Sequence, residues 1–264
     1  MHPSAPPGDA VPGDSFVQSF ARGLAVIRSF SAESADQTLS EVAERTGLTR
    51  AGARRILLTL QTLAYVEQHD KRFRLTPKIL DLGFAYLSSL PLWNLAEPAM
   101  SRLVRDVHES CSAAVLDGSD IVYVLRVPTQ KIMSINLGIG SRLPAYCTSM
   151  GRVLLAGLPR PQLAQLLEHA ELRKLTRHTV TAPRRLMKLI DTAREQQWCL
   201  VSEELEEGLV SLSVPILDRA GQCVAAMNIS SQSNRTPPAY MIERFLPRLK
   251  AAAGEISAML RVKA

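Results

Sequence analysis

Residues 46–66 read TGLTRAGARRILLTLQTLAYV, a stretch with three arginines, no acid and an apolar repeat suited to a packed helix. From Thr49 on, Ala53, Ile56, Leu57, Leu60 and Leu63 recur at about 100° per residue and share one face. Ala51, Arg55, Leu58 and Thr62 then point away from it, with Arg50 and Arg54 on a flank. A helix that must build a core thus carries a basic face with nothing nearby to neutralise it.

The flanking sequence supplies a context. Ser15–Phe30 places Phe16, Phe20, Leu24, Ile27 and Phe30 at helical spacing. A second, short helix is expected over Thr38–Thr46, with Thr38 as its N-cap, Glu41 completing a capping box and Gly47 supplying the stop. Tyr65–Thr76, YVEQHDKRFRLT, reads as two short strands around a polar turn that carries Lys71 and Arg72. Two helices about a tight turn, followed by a basic hairpin, form a winged helix-turn-helix with the 49–64 helix as the reading element. Thr49, Arg50, Ala51, Arg54, Arg55, Thr62, Lys71 and Arg72 are the expected DNA contacts. Arginines reach base edges or phosphates, the small residues allow close approach, and Thr49 with the helix N-terminus can donate to a phosphate oxygen.

Charge placement agrees. The 264 residues carry a net charge of +6. Met1–Glu44 has two basic residues against six acidic, whereas Arg45–Lys78 has eight against two. A basic segment is the electrostatic footprint of a nucleic-acid site, although a charge run alone is more commonly a solvated helix face. The capped helix, the glycine turn and the basic hairpin favour DNA.

Length and composition, with 46% hydrophobic and 21% charged residues, suit two globular domains. No apolar run approaches the roughly 18 residues of a membrane helix. The Pro-, Gly- and Ser-rich start, residues 1–14, lacks the features of a signal peptide and reads as a disordered lead-in, so a cytoplasmic protein is expected. Cys111, Cys147, Cys199 and Cys223 are far apart in sequence and form no metal-binding or disulfide pattern.

The pieces FARGLAVIRSF, LSEVAERTGL, ARRILLTLQTLAYV and FRLTPKILDLG, in this order, resemble the IclR-type bacterial transcription regulators. The resemblance continues through GSRLPAYCTSMGRVLLA and GLVSLSVPILDRAGQCVAAMNIS and covers nearly everything after Ser15. LDGSDIVYVLRV, KIMSINL and RLPAYCTSMGRVLLA look most like the branch controlling the protocatechuate, 4-hydroxybenzoate and β-ketoadipate pathways. The resemblance implies a homodimer or tetramer on double-stranded operator DNA, a linker helix at the dimer contact, and a GAF-like domain that binds a small organic acid.

The rest of the chain is consistent with that organisation. Ile79, Leu82 and Leu87 suit a linker helix over 78–91, and a further amphipathic helix is expected over Leu95–Val107. From Ser112 the period becomes 2. SAAVLDG and DIVYVLRV read as a hairpin about Asp117–Asp120, and a third strand is expected over Ile132–Ile139. Helical patterns cover 149–156, 161–169 and 184–198; strands return at 211–217 and 223–230, and a helix over 238–261 ends the chain. The expected fold class is therefore α+β: a winged helix-turn-helix over 15–77, a linker helix over 78–91, and an effector domain over 92–264 with a mainly antiparallel sheet.

In GSRLPAYCTSMGR a strand gives way to a helix, which exposes N–H groups around Thr148, Ser149, Met150 and Gly151. Such an end favours an organic acid's carboxylate, with Tyr146 packed on a ring and Arg126 or Arg142 adding charge. Thr148 or Ser149 could instead simply cap its own helix, and sequence alone prefers that reading; the resemblance reverses the order. Both arginines suit structural or exposed roles equally well. Asn228 and Ser230 are further pocket candidates, with solvent exposure as the alternative. No nucleotide-binding, hydrolase or metalloprotease motif is present, and no cofactor is expected. The competing reading is an enzyme or thiol sensor built on Cys147, whose place near a helix start could lower its pKa. The run Glu203, Glu204, Glu206, Glu207 reads as a solvated loop rather than a metal site.

Overall fold

The computed structural model describes residues 15–89, 92–129 and 137–263. They fall into two units, one reaching Ser89 and the other formed by the rest of the chain.

In the first unit α1 (Gln18–Arg28), α2 (Leu39–Thr46) and α3 (Arg50–Thr62) enclose a small core. Thr38 and Glu41 close the expected capping box: the Thr38 N–H donates to Glu41 Oε2 at 2.6 Å and the Glu41 N–H to Thr38 Oγ1 at 3.4 Å. Gly47 ends α2 at φ 64°, a left-handed conformation in which a side chain is disfavoured. Thr49 caps α3 by accepting from the Gly52 N–H at 3.1 Å. Val26, Val42, Ala53, Leu57, Leu60, Val66 and Phe73 form the core.

The hairpin of β2 (Val66–His69) and β3 (Arg72–Leu75) joins β1 (Gln37–Thr38) in a three-stranded antiparallel sheet. The apolar stripe expected on α1 is divided. Ile27 and Phe30 pack against the core, whereas Phe16, Phe20 and Leu24 are exposed. Leu80, Leu82 and Phe84 on α4 (Leu80–Ser89) are exposed as well.

The second unit is built on a six-stranded antiparallel sheet. Its strands are β4 (Ser110–Asp117), β5 (Asp120–Val127), β6 (Arg142–Pro144), β7 (Cys199–Ser202), β8 (Leu209–Leu217) and β9 (Cys223–Gln232). Their spatial order is β6-β5-β4-β9-β8-β7. The β4–β5 hairpin closes with Asp117 opposite Asp120, at the expected turn. The strand expected over Ile132–Ile139 falls mostly outside the described residues, and 137–139 are not strand; β6 pairs with β5 instead.

One face of the sheet is covered by α5 (Leu92–Val107) and α10 (Leu246–Lys263). Against the other lies α6 (Ser149–Ala156), with α8 (Pro183–Gln196) packed on α6 and α7 (Arg160–His169) on α8. A short helix, α9 (Pro238–Tyr240), runs through a π-turn into α10.

β5 carries one extra residue relative to β4. Ala113 faces Leu125 and Ala114 faces Tyr123, so Val124 is bulged. Without that bulge Tyr123 and Arg126, three residues apart, would project from opposite faces. With it both stand on the face that α6 covers.

Candidate functional site

Most of α3 presents what its periodicity predicts, but Leu63, expected on the packed face, is exposed at the helix end. Arg50, Ala51, Arg54, Arg55, Leu58 and Thr62 are exposed, while Ala53, Leu57 and Leu60 are buried. Arg50, Arg54 and Arg55 form no ion pair among the described residues, so three cations stand unneutralised within the first two turns. Thr49 accepts the capping bond and keeps its hydroxyl hydrogen for a partner. Thr62 lies at the far end of α3, its hydroxyl donating to the Leu58 carbonyl at 3.0 Å. Lys71 sits exposed at the hairpin tip. Arg72 is committed to the fold: its guanidinium donates to the Asp36 carbonyl at 3.1 Å and lies 3.7 Å from Glu41.

In the second unit a cavity opens between the sheet and the N-terminus of α6, with about 590 Å³ of unfilled space including its mouth. Its floor is set by strand register. Ser112 pairs with Arg126 on one side and Asn228 on the other, and Asn228 pairs with Ser213; one step on, Ser230 pairs with both Ser110 and Ser211. These side chains interlock. Asn228 Nδ2 donates to Ser211 Oγ and Ser230 Oγ, each at 2.9 Å, and Asn228 Oδ1 accepts the Ser112 N–H at 3.1 Å. Ser149 Oγ donates to Ser211 Oγ at 2.8 Å and shares a 2.6 Å bond with Ser213 Oγ. The hydroxyls of Ser149, Ser211, Ser213 and Ser230 and the Asn228 amide thus form a connected polar floor beneath α6.

Of the nine residues expected at an effector site, Arg126, Thr148, Ser149, Met150, Asn228 and Ser230 line this cavity, and three do not. Arg142 is held at the β4–β5 turn by Asp117 at 2.7 Å and Asp120 at 3.2 Å. Tyr146 is buried, and its hydroxyl donates to the Arg173 carbonyl at 2.5 Å, which anchors the segment after α7. Gly151 is a packing glycine: a Cβ there would lie 2.1 Å from the Ala145 carbonyl oxygen. Thr148 caps α6, accepting from the Gly151 N–H at 3.2 Å while donating to the Pro144 carbonyl at 3.1 Å. The capping alternative holds for Thr148.

The Arg126 guanidinium is half-buried and has no ion pair among the described residues. Two carboxylates also line the cavity, each with its own partner. Glu204 is ion-paired with Arg152 at 2.7 Å, and Glu203 accepts from Ser233 Oγ at 2.6 Å, with His178 3.3 Å away. The hydrogen bond from Ser233 and the nearby His178 and Arg177 hold the Glu203 carboxyl below its usual range. Arg126 is thus a cation in the lining that no described carboxylate pairs, and an acidic ligand is the partner it lacks.

Residues 19–70 match the IclR helix-turn-helix domain, and residues 84–258 match the C-terminal domain of bacterial IclR transcriptional regulators. This chain belongs to the IclR family. The Pca regulon regulatory protein of Pseudomonas putida is 43% identical over 242 residues, covering 91% of this chain and 83% of the relative. A transcriptional regulator from Rhodococcus sp. RHA1 has a crystal structure 47% identical, with a TM-score of 0.86 over 94% of this chain and all of that one. The inducer-binding domain of the Acinetobacter PobR transcription factor, a double mutant in complex with 3-hydroxybenzoic acid, is 34% identical. It covers 64% of this chain and 97% of its own, with a TM-score of 0.59. As an IclR protein the chain is a ligand-responsive, DNA-binding transcription regulator.

Other features of this IclR chain correct the sequence reading. Glu204 is not part of a solvated loop. It is 8% exposed, its Oε2 also accepts the Val180 N–H at 2.9 Å, and Arg152, 2% exposed, donates to the Tyr146 carbonyl at 2.9 Å. Nor is Cys147 a poised thiolate. It is fully buried, and burial, with Glu204 nearby, pushes its thiol up to about 12. Burial likewise raises Cys199 to about 11, Cys223 to about 12 and Cys111 further. At pH 8 the native protein should therefore react only slowly with a chromogenic disulfide reagent, and all four thiols should react once it is unfolded. A fast stoichiometric reaction in the native state would contradict the buried-thiol geometry.

Tyr123, Ser110, Ser112, Ser211 and Ser213 were not foreseen at the site. Their signal was a serine at every second position of a strand otherwise rich in Val, Leu and Ala, as in SLSVPIL and SCSAAVLD.

Proposed function

We propose that the cavity is the effector site and that the effector is an aromatic or dicarboxylic acid of a catabolic pathway of the β-ketoadipate type. The observation that carries this reading is Arg126, a guanidinium that lines the cavity beside the start of α6 and has no ion pair among the described residues. A carboxylate would receive charge-assisted hydrogen bonds from the guanidinium, with the start of α6 adding to the favourable potential. Tyr123, Leu137, Met150, Val201, Leu205 and Leu209 supply the apolar wall for a ring or methylene chain, and the Ser/Asn floor receives a ring hydroxyl or second polar group. The Pseudomonas and Acinetobacter relatives support this class of effector.

In the same reading the winged helix-turn-helix spans 15–77, the linker 78–91 and the effector domain 92–264. Arg50, Arg54 and Arg55 read the operator, helped by Thr49 and Ala51 and, from the hairpin tip, Lys71; Thr62 and Arg72 contribute less. The exposed apolar side chains of α1 and α4 are the contact with a second copy. A dimer places two reading helices on repeated half-sites. No helix among the described residues is long and apolar enough to cross a membrane, and a regulator of chromosomal operators works in the cytoplasm.

A thermal-shift screen of protocatechuate, 3- and 4-hydroxybenzoate and β-ketoadipate tests the effector class. An acid at 100 times its dissociation constant adds about 2.7 kcal/mol to the stability of the domain that binds it. If none of these acids raises the melting temperature while the protein still binds its operator, the effector class is wrong and the family assignment stands.

A further inference from the structure

The basic segment at the reading helix is not the most densely charged part of the chain. Between Leu172 and Ile190 there are six basic residues and no acidic one, whereas the rest of the chain after Lys78 has fifteen basic against seventeen acidic. Two of the six are neutralised: Arg173 closes on Glu171 at 2.6 Å, and Arg177 lies 3.6 Å from Glu207. Lys174, Arg184, Arg185 and Lys188 are exposed and form no ion pair among the described residues.

Three of these four sit together. Arg184, Arg185 and Lys188 occupy the first two turns of α8, so Lys188 lies one turn beyond both arginines on the same surface. Like charges at these spacings destabilise a helix, and cations at its N-terminus oppose the macrodipole. The first turn has no acidic residue and the helix has no side-chain cap to offset either effect. Farther along the same helix the pattern is ordinary: Asp191 pairs with both Arg160 and Arg194. On its inner side Leu186, Ile190 and Ala193 are buried and fix the helix to the domain. The cations are thus held on a packed helix, at a local cost that no acidic side chain among the described residues offsets.

We propose that this surface of the effector domain is a second DNA contact, in which Arg184, Arg185 and Lys188 take phosphates of duplex lying outside the operator half-sites. It rests on the DNA-binding function of the family and not on the effector assignment. An acidic protein surface is the other polyanion to consider. Protein interfaces, however, are organised around buried apolar and aromatic anchors, and Leu175 is the only large apolar side chain exposed among residues 172–190. Phosphate binding needs only exposed cations, which the start of α8 has.

The test uses the full chain and two duplexes, the operator trimmed to its half-sites and the same operator with random-sequence flanks, titrated by fluorescence anisotropy over a range of salt concentrations. The triple variant Arg184→Gln, Arg185→Gln, Lys188→Gln should bind the trimmed operator like wild type. On the flanked duplex its salt slope should fall by about two to three per chain, close to one for each phosphate that the variant no longer neutralises. A matching melting temperature separates this effect from a folding defect. Wild-type slopes on both duplexes would overturn the proposal. So would a variant that keeps both DNA affinities but no longer supports transcription by RNA polymerase, which would assign the surface to an acidic protein.

Discussion

Arg152→Ala is expected to destabilise the effector domain by about 3–5 kcal/mol, the range for removing one partner of a buried ion pair. The side chain is buried and bonded at both ends. Its Nε donates to the Tyr146 carbonyl, its Nη2 meets Glu204, and Glu204 in turn accepts from Val180 while Thr179 Oγ1 donates to the Glu204 carbonyl at 2.6 Å. Alanine would leave the Glu204 carboxylate desolvated with a single N–H donor. The penalty belongs mainly to the orphaned charge, so the double variant Arg152→Met, Glu204→Leu should recover most of the loss. Calorimetric melting of the three proteins checks this. Equal melting of wild type and Arg152→Ala would mean that the pair is open to solvent.

The double variant Arg54→Ala, Arg55→Ala should lose about 2–6 kcal/mol of operator affinity, from about 1–3 kcal/mol for each base contact. Both side chains leave the helix on its solvent side, and alanine is the best helix former, so the fold and the effector site should be unaffected. The hairpin gives a contrast. Lys71→Ala should reduce the salt slope by about one. Arg72→Ala should act by loosening the hairpin from Asp36 and Glu41, to which Arg72 is bound. Operator binding by the Arg54, Arg55 double variant with wild-type affinity and salt slope would remove α3 as the reading helix.

The first unit was legible because its signals are local. Thr38 with Glu41, Gly47 and the repeat of Ala53, Leu57 and Leu60 each act within a few residues, and the structure has the capping box, the left-handed turn and the buried face they imply. The β4–β5 hairpin was readable for the same reason. The cavity was only half readable. Thr148, Ser149 and Met150 could be placed from a strand-to-helix transition, but the Ser/Asn floor depends on the register of β4, β8 and β9, whose residues are over 100 positions apart in the chain for Ser112 and Asn228. Arg126 reaches the cavity through a bulge at Val124 that no residue type announces. Nothing in the sequence near Arg152 points to its partner, because Glu204 lies 52 residues away. Arg142, Tyr146 and Gly151 were close to the right segment, but their roles, set by Asp117, Arg173 and Ala145, are structural.

If the cavity reads an organic acid and thereby controls the operator complex, ligand and DNA must change each other's affinity by the same factor, and removing Arg126 must remove much of the ligand's affinity. Arg126→Met suits this purpose, because the guanidinium has no ion pair among the described residues to break and methionine keeps much of the apolar stem. The decisive measurement is a calorimetric titration of wild type and Arg126→Met with whichever acid stabilises the wild type. A charged hydrogen bond of about 1.5–3 kcal/mol predicts roughly 10- to 150-fold weaker binding to the variant, with melting temperature and effector-free operator affinity unchanged. Binding of the acid to Arg126→Met with wild-type affinity would contradict the account.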